Sequence, residues 1–233
     1  MLVCKTIRRG EHDLGNASVG NELWKGTTCP IVWHVVFFSP RKKGGEDSMK
    51  RTNTRMLVEA GVMIALAQVL SYVKVYELPQ GGSVTAGSMV PILFFAVRWG
   101  ARGGILAGMA YGLLQFILGE KYSYHIVSIL FDYIIAFGCL GLAGLFRQKG
   151  MAGVMAGVFL GILGRFICHV ISGVTVFASY APEGQSPWVY SILYNGSYLL
   201  PELIISMVIV GLLYRSLGFE LRMDNRSSSN YSA

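Results

Sequence analysis

The sequence predicts an all-α integral membrane protein with six transmembrane helices and both termini in the cytoplasm. Hydrophobic residues make up 53% of the 233 residues and charged residues only 14%, whereas a soluble domain carries roughly 25% charged residues. The chain also holds 29 glycines, and glycine is more frequent in membrane helices than in soluble ones. The length of the apolar runs and the charge of the loops between them complete the prediction.

Six apolar runs have the composition of membrane helices, which need about 20 mostly apolar residues to cross a bilayer. They cover residues 54–73, 85–99, 102–119, 124–146, 151–177 and 189–215. The second and third runs are short and interrupted by glycine. Together the runs predict one transmembrane domain over residues 49–218.

The loops alternate in charge, which fixes the predicted orientation. One set of chain segments is basic: Lys50, Arg51 and Arg55, then Arg98 and Arg102, then Arg147 and Lys149, then Arg215 and Arg222. The other set carries Lys74 with Glu77, Glu120 with Lys121, and Glu183. Because positive residues remain on the cytoplasmic side, both termini are predicted there, which requires an even number of helices.

The two ends of the chain differ from this domain. Residues 1–48 are polar and irregular apart from the short run "IVWHVVFF", and Met49 followed by "KRTNTRMLVEA" is a natural beginning. We therefore expect residues 1–48 to be a disordered extension or the product of an upstream start codon. Residues 219–233 are expected to form a polar tail.

Several other classes of function are excluded or unsupported. The formal net charge is +7, but the basic residues flank apolar runs and form no single patch for a nucleic acid. The four cysteines contain no CxxC pair, so neither a disulfide framework nor a metal site is indicated. No P-loop sequence is present, and no cofactor is expected.

Three polar residues of separate predicted helices lie at one depth. Asp132 and His169 each lie about 8 residues below the outer end of their helix, and Asn195 about 6, which at 1.5 Å per residue is roughly 9–12 Å. Ionisable groups at such depth cost at least ~2.5–3.5 kcal/mol and mark functional sites by default. A packing role for His169 is an equally plausible interpretation, whereas an unpaired Asp132 has no structural explanation.

Aromatic residues surround the same level and suggest the type of ligand. They are Tyr133, Phe177, Trp188, Tyr190, Tyr194 and Tyr198, with Tyr76 on the loop after the first helix. A carboxylate among aromatic rings suits an organic cation, because each ring face attracts a cation by ~0.5–2 kcal/mol. Tyr76 is equally consistent with an interfacial belt, and its loop with either a lid or a turn in which Ser83 or Thr85 caps the second helix.

Arg165 and Glu202 form a second polar level near the middle of the membrane. Arg165 lies one helical turn below His169, and Glu202 lies two turns below Asn195. We predict that they form an ion pair that closes the floor of the site. Removing one partner of a buried pair typically costs ~3–5 kcal/mol.

The segments "LPQGGSVTAGSMVPILFFAVRWG", "FDYIIAFGCLGLAG" and "CHVISGVTVFASYAPEGQSPWVYSILYNGSYLLPE" resemble the thiamine-specific S component of energy-coupling factor (ECF) transporters. This resemblance covers residues 50–218. It implies a six-helix protein of the bacterial plasma membrane that captures thiamine and has no catalysis of its own. Its implied partners are a transmembrane coupling protein and two ATPases.

The resemblance also implies roles for particular residues. Thiamine contacts map to Asp132, Tyr133, His169, Tyr190 and Asn195, with Tyr194 close by. The first helix carries Gly61 and Ala65 where the family docks its coupling protein, although small residues at this spacing also serve ordinary helix packing. An ion-coupled transporter of a small organic cation is the alternative function, and an intramembrane enzyme lacks a supporting constellation.

Overall fold

The structure is a computed structural model, and it describes residues 45–79, 81–119 and 123–229. The chain divides into two units, residues 1–40 and 41–233. The first unit and most of the predicted extension 1–48 lie outside the described residues. The predicted boundary at residue 218 falls inside the last helix, which runs to Ser229.

Helices account for most of the described chain. They are α1 (Gly45–Ser71), α2 (Val90–Trp99), α3 (Ala101–Leu118), α4 (residues 126–149), α5 (Gly150–Val176) and α6 (Pro187–Ser229), with a short 3-10 turn at Ala178–Tyr180. The prediction of a mostly helical fold is therefore confirmed. The second predicted helix is shorter than expected, because α2 begins at Val90 and residues 83–85 form a strand.

Four described stretches are long and apolar enough to cross a membrane: Thr54–Ser71, Ala101–Leu118, Ile126–Val176 and Pro187–Ser216. The third has 51 residues because it contains both α4 and α5. The chain reverses between them, where Phe146 leaves the helical conformation and Gly150 adopts a φ of 70°. A positive φ is readily accessible to glycine because it has no Cβ.

Glycine brings neighbouring helices close together. A Cβ on Gly108 or Gly112 of α3 would collide with the backbone of Phe137 or Tyr133 in α4. A Cβ on Gly157 of α5 would likewise collide with the carbonyl of Ala143. The contact residues rise in number along α3, from 108 to 112, while their partners in α4 fall from 137 to 133, so the two helices run antiparallel. α5 follows α4 after the chain reverses, and it also packs antiparallel to α4. Small residues allow this approach between membrane helices.

The helix α4 changes its hydrogen-bonding pattern along its length. It begins as an α-helix at Ile126–Ser128, becomes a π-helix at Ile129–Ile135, returns to α-helix at Ala136–Cys139 and ends as a 3-10 helix at Leu140–Lys149. π-helical turns are rare and are frequently found at functional sites. Here the π-helical turn carries Asp132 and Tyr133.

A short antiparallel hairpin corrects the all-α prediction. Strands β1 (Lys74–Glu77) and β2 (Ser83–Thr85) pair across the turn that contains Pro79 and Gly81. The predicted cap of α2 was also wrong, because Met89 occupies the N-cap without a side-chain hydrogen bond. β2 instead packs against α6. Gly82, just before β2, lies against the ring of Tyr198.

At the opposite end of the bundle a buried glutamate joins α1 to α2. Glu59 Oε1 lies 2.9 Å from Arg55 Nε, and Oε2 lies 2.7 Å from Trp99 Nε1 and 3.0 Å from Arg98 Nε. Arg147 at the end of α4 donates to the carbonyl of Arg98 at 3.0 Å. We call this group, Arg55, Glu59, Arg98, Trp99 and Arg147, the Glu59 cluster.

Candidate functional site

A cavity of about 390 Å³ lies between the hairpin and helices α3 to α6. This volume is within the usual range of ~300–1,000 Å³ for small-molecule sites. Among the predicted site residues, the following line it: Asp132, Tyr133, His169, Phe177, Tyr190, Tyr194 and Asn195. Arg165 and Glu202 line it as well. Residues that the sequence placed at one depth thus line the same cavity.

Asp132 is held by three donors on two helices. Its Oδ1 lies 2.9 Å from Nδ1 of His169, and its Oδ2 accepts hydrogen bonds from Ser128 at 2.7 Å and Ser172 at 2.5 Å. A carboxylate has about four acceptor positions, so most of its hydrogen-bonding capacity is used within the protein. Its negative charge nevertheless faces the cavity.

His169 connects this carboxylate to Arg165. Arg165 Nε donates to His169 Nε2 at 3.1 Å. Because a guanidinium can only donate, Nε2 of the imidazole must accept, and the proton of a neutral His169 resides on Nδ1, facing Asp132. The guanidinium of Arg165 also lies 4.2 Å from the ring centre of Phe137, a cation–π contact.

Asn195 fixes the contact between α5 and α6. Its Nδ2 donates to the carbonyl of Ser191 at 2.9 Å and to the carbonyl of His169 at 3.4 Å, and its Oδ1 accepts from the Tyr198 hydroxyl at 2.7 Å. Asn195 is buried, and such an amide needs these partners to avoid a desolvation cost. It therefore orients Tyr198 and the wall of the cavity.

Tyrosine rings form the aromatic wall on α6. Tyr190 and Tyr194 stack with their centroids 5.9 Å apart, and Tyr194 meets Tyr198 edge to face at 6.1 Å. The Tyr194 hydroxyl accepts from the backbone N–H of Gly82 at 3.1 Å. This bond ties the turn of the hairpin to α6 and closes one side of the cavity.

The predicted ion pair between Arg165 and Glu202 is not formed in the part of the chain that the structure describes. Glu202 Oε1 accepts instead from the backbone N–H of Thr85 at 2.9 Å and from its hydroxyl at 2.5 Å. Both residues nevertheless line the cavity. Sequence depth could not reveal that a strand residue from the loop would reach Glu202.

Tyr76 does not belong to the described wall of the cavity. It lies on β1 with 59% of its surface exposed. Tyr72 and Lys74 of the same region line the cavity in its place, and Lys74 also pairs with Glu77 at 2.6 Å. The pairing of β1 with β2 shifts its register between Lys74 and Tyr76, and such a bulge redirects the side chains that follow it.

Ser128, Ser172 and Thr85 were missed by the sequence interpretation. Spacing along the chain offered a signal for two of them. Ser128 lies four residues before Asp132, and Ser172 lies three after His169, which are neighbouring positions on a helix. Thr85 had no such signal, because its contact is made between distant parts of the chain.

The described residues hold no group of three or more His, Cys, Asp or Glu side chains placed to bind a metal ion. Cys139 and Cys168 are free, with their sulfur atoms 4.0 Å apart on adjacent helices. The cavity offers carboxylates, hydroxyl groups and aromatic faces. These are the groups that bind an organic cation without a metal.

Apolar helices of membrane-spanning length around a cavity lined by carboxylates and aromatic rings define a multi-pass membrane protein with a small-molecule site. The family model described as thiamine transporter protein (Thia_YuaJ) matches residues 57–219. The chain therefore belongs to this thiamine transporter family.

Relatives and a solved structure agree with that assignment. Thiamine transporter ThiT of Bacillus subtilis is 37% identical over 182 residues, which cover 72% of this chain and 94% of that protein. ThiT of Lacticaseibacillus paracasei is 30% identical and covers 68% of this chain and 86% of that protein. A solved structure of ThiT from Listeria monocytogenes is 24% identical, has a TM-score of 0.65, and covers 73% of this chain and 98% of that one; it shows the shared fold. These relatives are transporters rather than enzymes, as predicted.

Proposed function

We propose that the protein binds thiamine in this cavity and serves as the S component of an ECF transporter. The observation that carries the proposal is the Asp132 carboxylate, held by three donors and facing a cavity lined with tyrosine rings. Thiamine joins a permanent thiazolium cation to an aminopyrimidine. Such a ligand needs an anion, aromatic faces and hydrogen-bonding groups together.

The charges of the buried wall match a ligand with one positive charge. Asp132 and Glu202 are acidic, Arg165 is basic, and the partners of His169 make it neutral. Lys74 at the hairpin is balanced by Glu77. The wall thus carries a net charge of about −1, which one thiazolium would neutralise.

The direct contacts to thiamine are assigned to Asp132 and to the aromatic side chains of the wall. Asp132 would neutralise the thiazolium, and Tyr133, Phe177, Tyr190 and Tyr194 would supply ring faces. His169 and Asn195 would orient the binding groups, since most of their polar atoms already bond within the protein.

We further propose six membrane crossings with both termini in the cytoplasm, in the bacterial plasma membrane. The antiparallel contacts of α3, α4 and α5 support the alternation of direction. Arg98, Arg147 and Arg55 meet at the end that holds the Glu59 cluster. By the positive-inside rule that end faces the cytoplasm.

The proposed partners are the ECF coupling membrane protein and two ATPases, docking on α1. Gly61 and Ala65 lie on the exposed face of α1, and a Cβ on Gly61 would meet open space. A bulky Gly61→Trp substitution is therefore expected to spare thiamine binding and to stop uptake. Equal loss of binding and uptake would instead indicate a folding defect.

Calorimetric titration of the purified protein tests the binding proposal. We expect thiamine to bind without ATP or an ion gradient, and Asp132→Asn to weaken binding by about 10-fold to 100-fold, since a lost charge contact is worth ~1.5–3 kcal/mol. In cells, uptake should require the coupling protein and ATPases. Uptake by the lone protein driven by a proton or sodium gradient would support a secondary transporter and contradict the proposal.

A further inference from the structure

The second carboxylate of the cavity, Glu202, has an unused oxygen. Glu202 is 3% exposed, and it lines the cavity from α6. Thr85 donates two hydrogen bonds, both to Oε1. Among the described residues no hydrogen bond is made to Oε2. Because Glu202 lines the cavity, this oxygen is available to accept a hydrogen bond from a ligand.

Asp132 and Glu202 therefore differ in what they can offer. Asp132 already accepts three hydrogen bonds, so its main contribution to a ligand is its charge. Glu202 retains a free acceptor atom. A thiazolium ring nitrogen bears no hydrogen and needs only a nearby negative charge, whereas an amino group needs a free acceptor.

The positions of the two carboxylates suit the two rings of one ligand. Asp132 bonds to His169, whose carbonyl bonds to Asn195, so these residues share one level. Glu202 follows Asn195 by seven residues on α6, or about 10 Å along the helix axis. A ligand that places its cation beside Asp132 can extend its second ring toward Glu202.

We propose that Glu202 is a ligand-binding residue whose free oxygen accepts a hydrogen bond from the exocyclic amino group of the aminopyrimidine. This inference rests on the proposed binding of thiamine and assigns the orientation of the ligand. The thiazolium lies beside Asp132, and the pyrimidine extends toward Glu202. Thr85 holds Glu202 in the required position by fixing the other oxygen.

The assignment explains why an acidic residue is placed so deep in α6. A structural acceptor for Thr85 requires one oxygen, which Gln supplies as well as Glu. Gln cannot serve where the second oxygen must also accept a hydrogen bond. Glu202→Gln keeps an oxygen for Thr85 and puts an N–H donor where the free acceptor stood, so it separates the two roles.

A two-by-two titration tests the inference. Wild type and Glu202→Gln are each titrated with thiamine and with an analogue whose pyrimidine amino group is replaced by hydrogen. We expect Glu202→Gln to weaken thiamine binding by about 10-fold to 100-fold and to change binding of the analogue by less than about 3-fold. Glu59→Gln, at the far end of the bundle, is the matched control and should leave both affinities unchanged.

The outcomes separate the two proposals. If wild type fails to bind thiamine, the proposed function and the inference both fail. If wild type binds thiamine but Glu202→Gln weakens both ligands equally, or neither, only the inference is overturned. Glu202→Asp keeps a carboxylate and provides a second variant, which should prefer thiamine over the analogue more strongly than Glu202→Gln does.

Discussion

Two buried glutamates at opposite ends of the bundle show how differently the same side chain can be used. Glu59 is 1% exposed and Glu202 is 3% exposed. Both oxygens of Glu59 are engaged, by Arg55 on one side and by Trp99 and Arg98 on the other. Only one oxygen of Glu202 is engaged, by Thr85. Depth of burial alone therefore does not identify a binding residue; unused bonding capacity facing a cavity does.

The surroundings of the two residues differ in the same way. The Glu59 cluster joins α1, α2 and α4 through ion pairs and a backbone hydrogen bond. Around Glu202 the helices separate and enclose about 390 Å³. We infer that the first end provides stability and the second end provides binding, and the following variants test that division.

The largest effect on stability is expected for Glu59→Gln. The substitution leaves Arg98 without its buried counter-charge, and breaking such a pair typically costs ~3–5 kcal/mol. Thermal or chemical unfolding in detergent should reveal this loss, while the folded fraction should bind thiamine normally. A variant as stable as wild type would show that the Glu59 cluster does not hold α1.

The next effect is expected at the glycine contacts between α3 and α4. Gly108→Ala places a Cβ against the carbonyl of Phe137, and such overpacking costs ~1–3 kcal/mol. Gly61→Ala is the matched control, because its Cβ meets open space. We expect the control to unfold at or above the wild-type temperature. Equal melting of both variants would contradict the close approach of α3 to α4.

Glu202→Gln should change stability much less than Glu59→Gln. The Gln oxygen still accepts from Thr85, so the expected loss is at most about 1 kcal/mol. The sequence interpretation of a floor ion pair with Arg165 predicts ~3–5 kcal/mol for the same variant. Unfolding curves of the two variants, measured side by side, distinguish these interpretations. A large loss of stability in Glu202→Gln would support the ion pair between Arg165 and Glu202.

The sequence predicted levels along the helices better than contacts around them. Hydropathy and loop charge located the helices, and a rise of 1.5 Å per residue placed Asp132, His169 and Asn195 at one depth. Depth contains no information on direction around the bundle, so the partner of Glu202 was missed. The hairpin was missed because β2 is held by a distant residue of α6, Glu202, which accepts hydrogen bonds from Thr85.

The π-helical turn of α4 was also beyond the reach of the sequence. It shifts the hydrogen-bonding register of Ile129–Ile135 without any change in hydrophobic composition. The turn packs closely against α3, where Gly112 lies against the backbone of Tyr133. A pattern of apolar residues predicts that a helix exists, not which carbonyl each N–H will bond.

The smallest effect is expected for Tyr76→Ala. Tyr76 is 59% exposed on β1, outside the described wall of the cavity, so thiamine affinity should change by less than about 2-fold, a difference below ~0.5 kcal/mol. Tyr190→Ala removes a ring from the wall and should cost ~0.5–2 kcal/mol of binding. Titration of both variants compares the outer face of the hairpin with the cavity itself. A larger loss at Tyr76 than at Tyr190 would mean that β1 turns this side chain toward the bound ligand, and would make the hairpin part of the binding end.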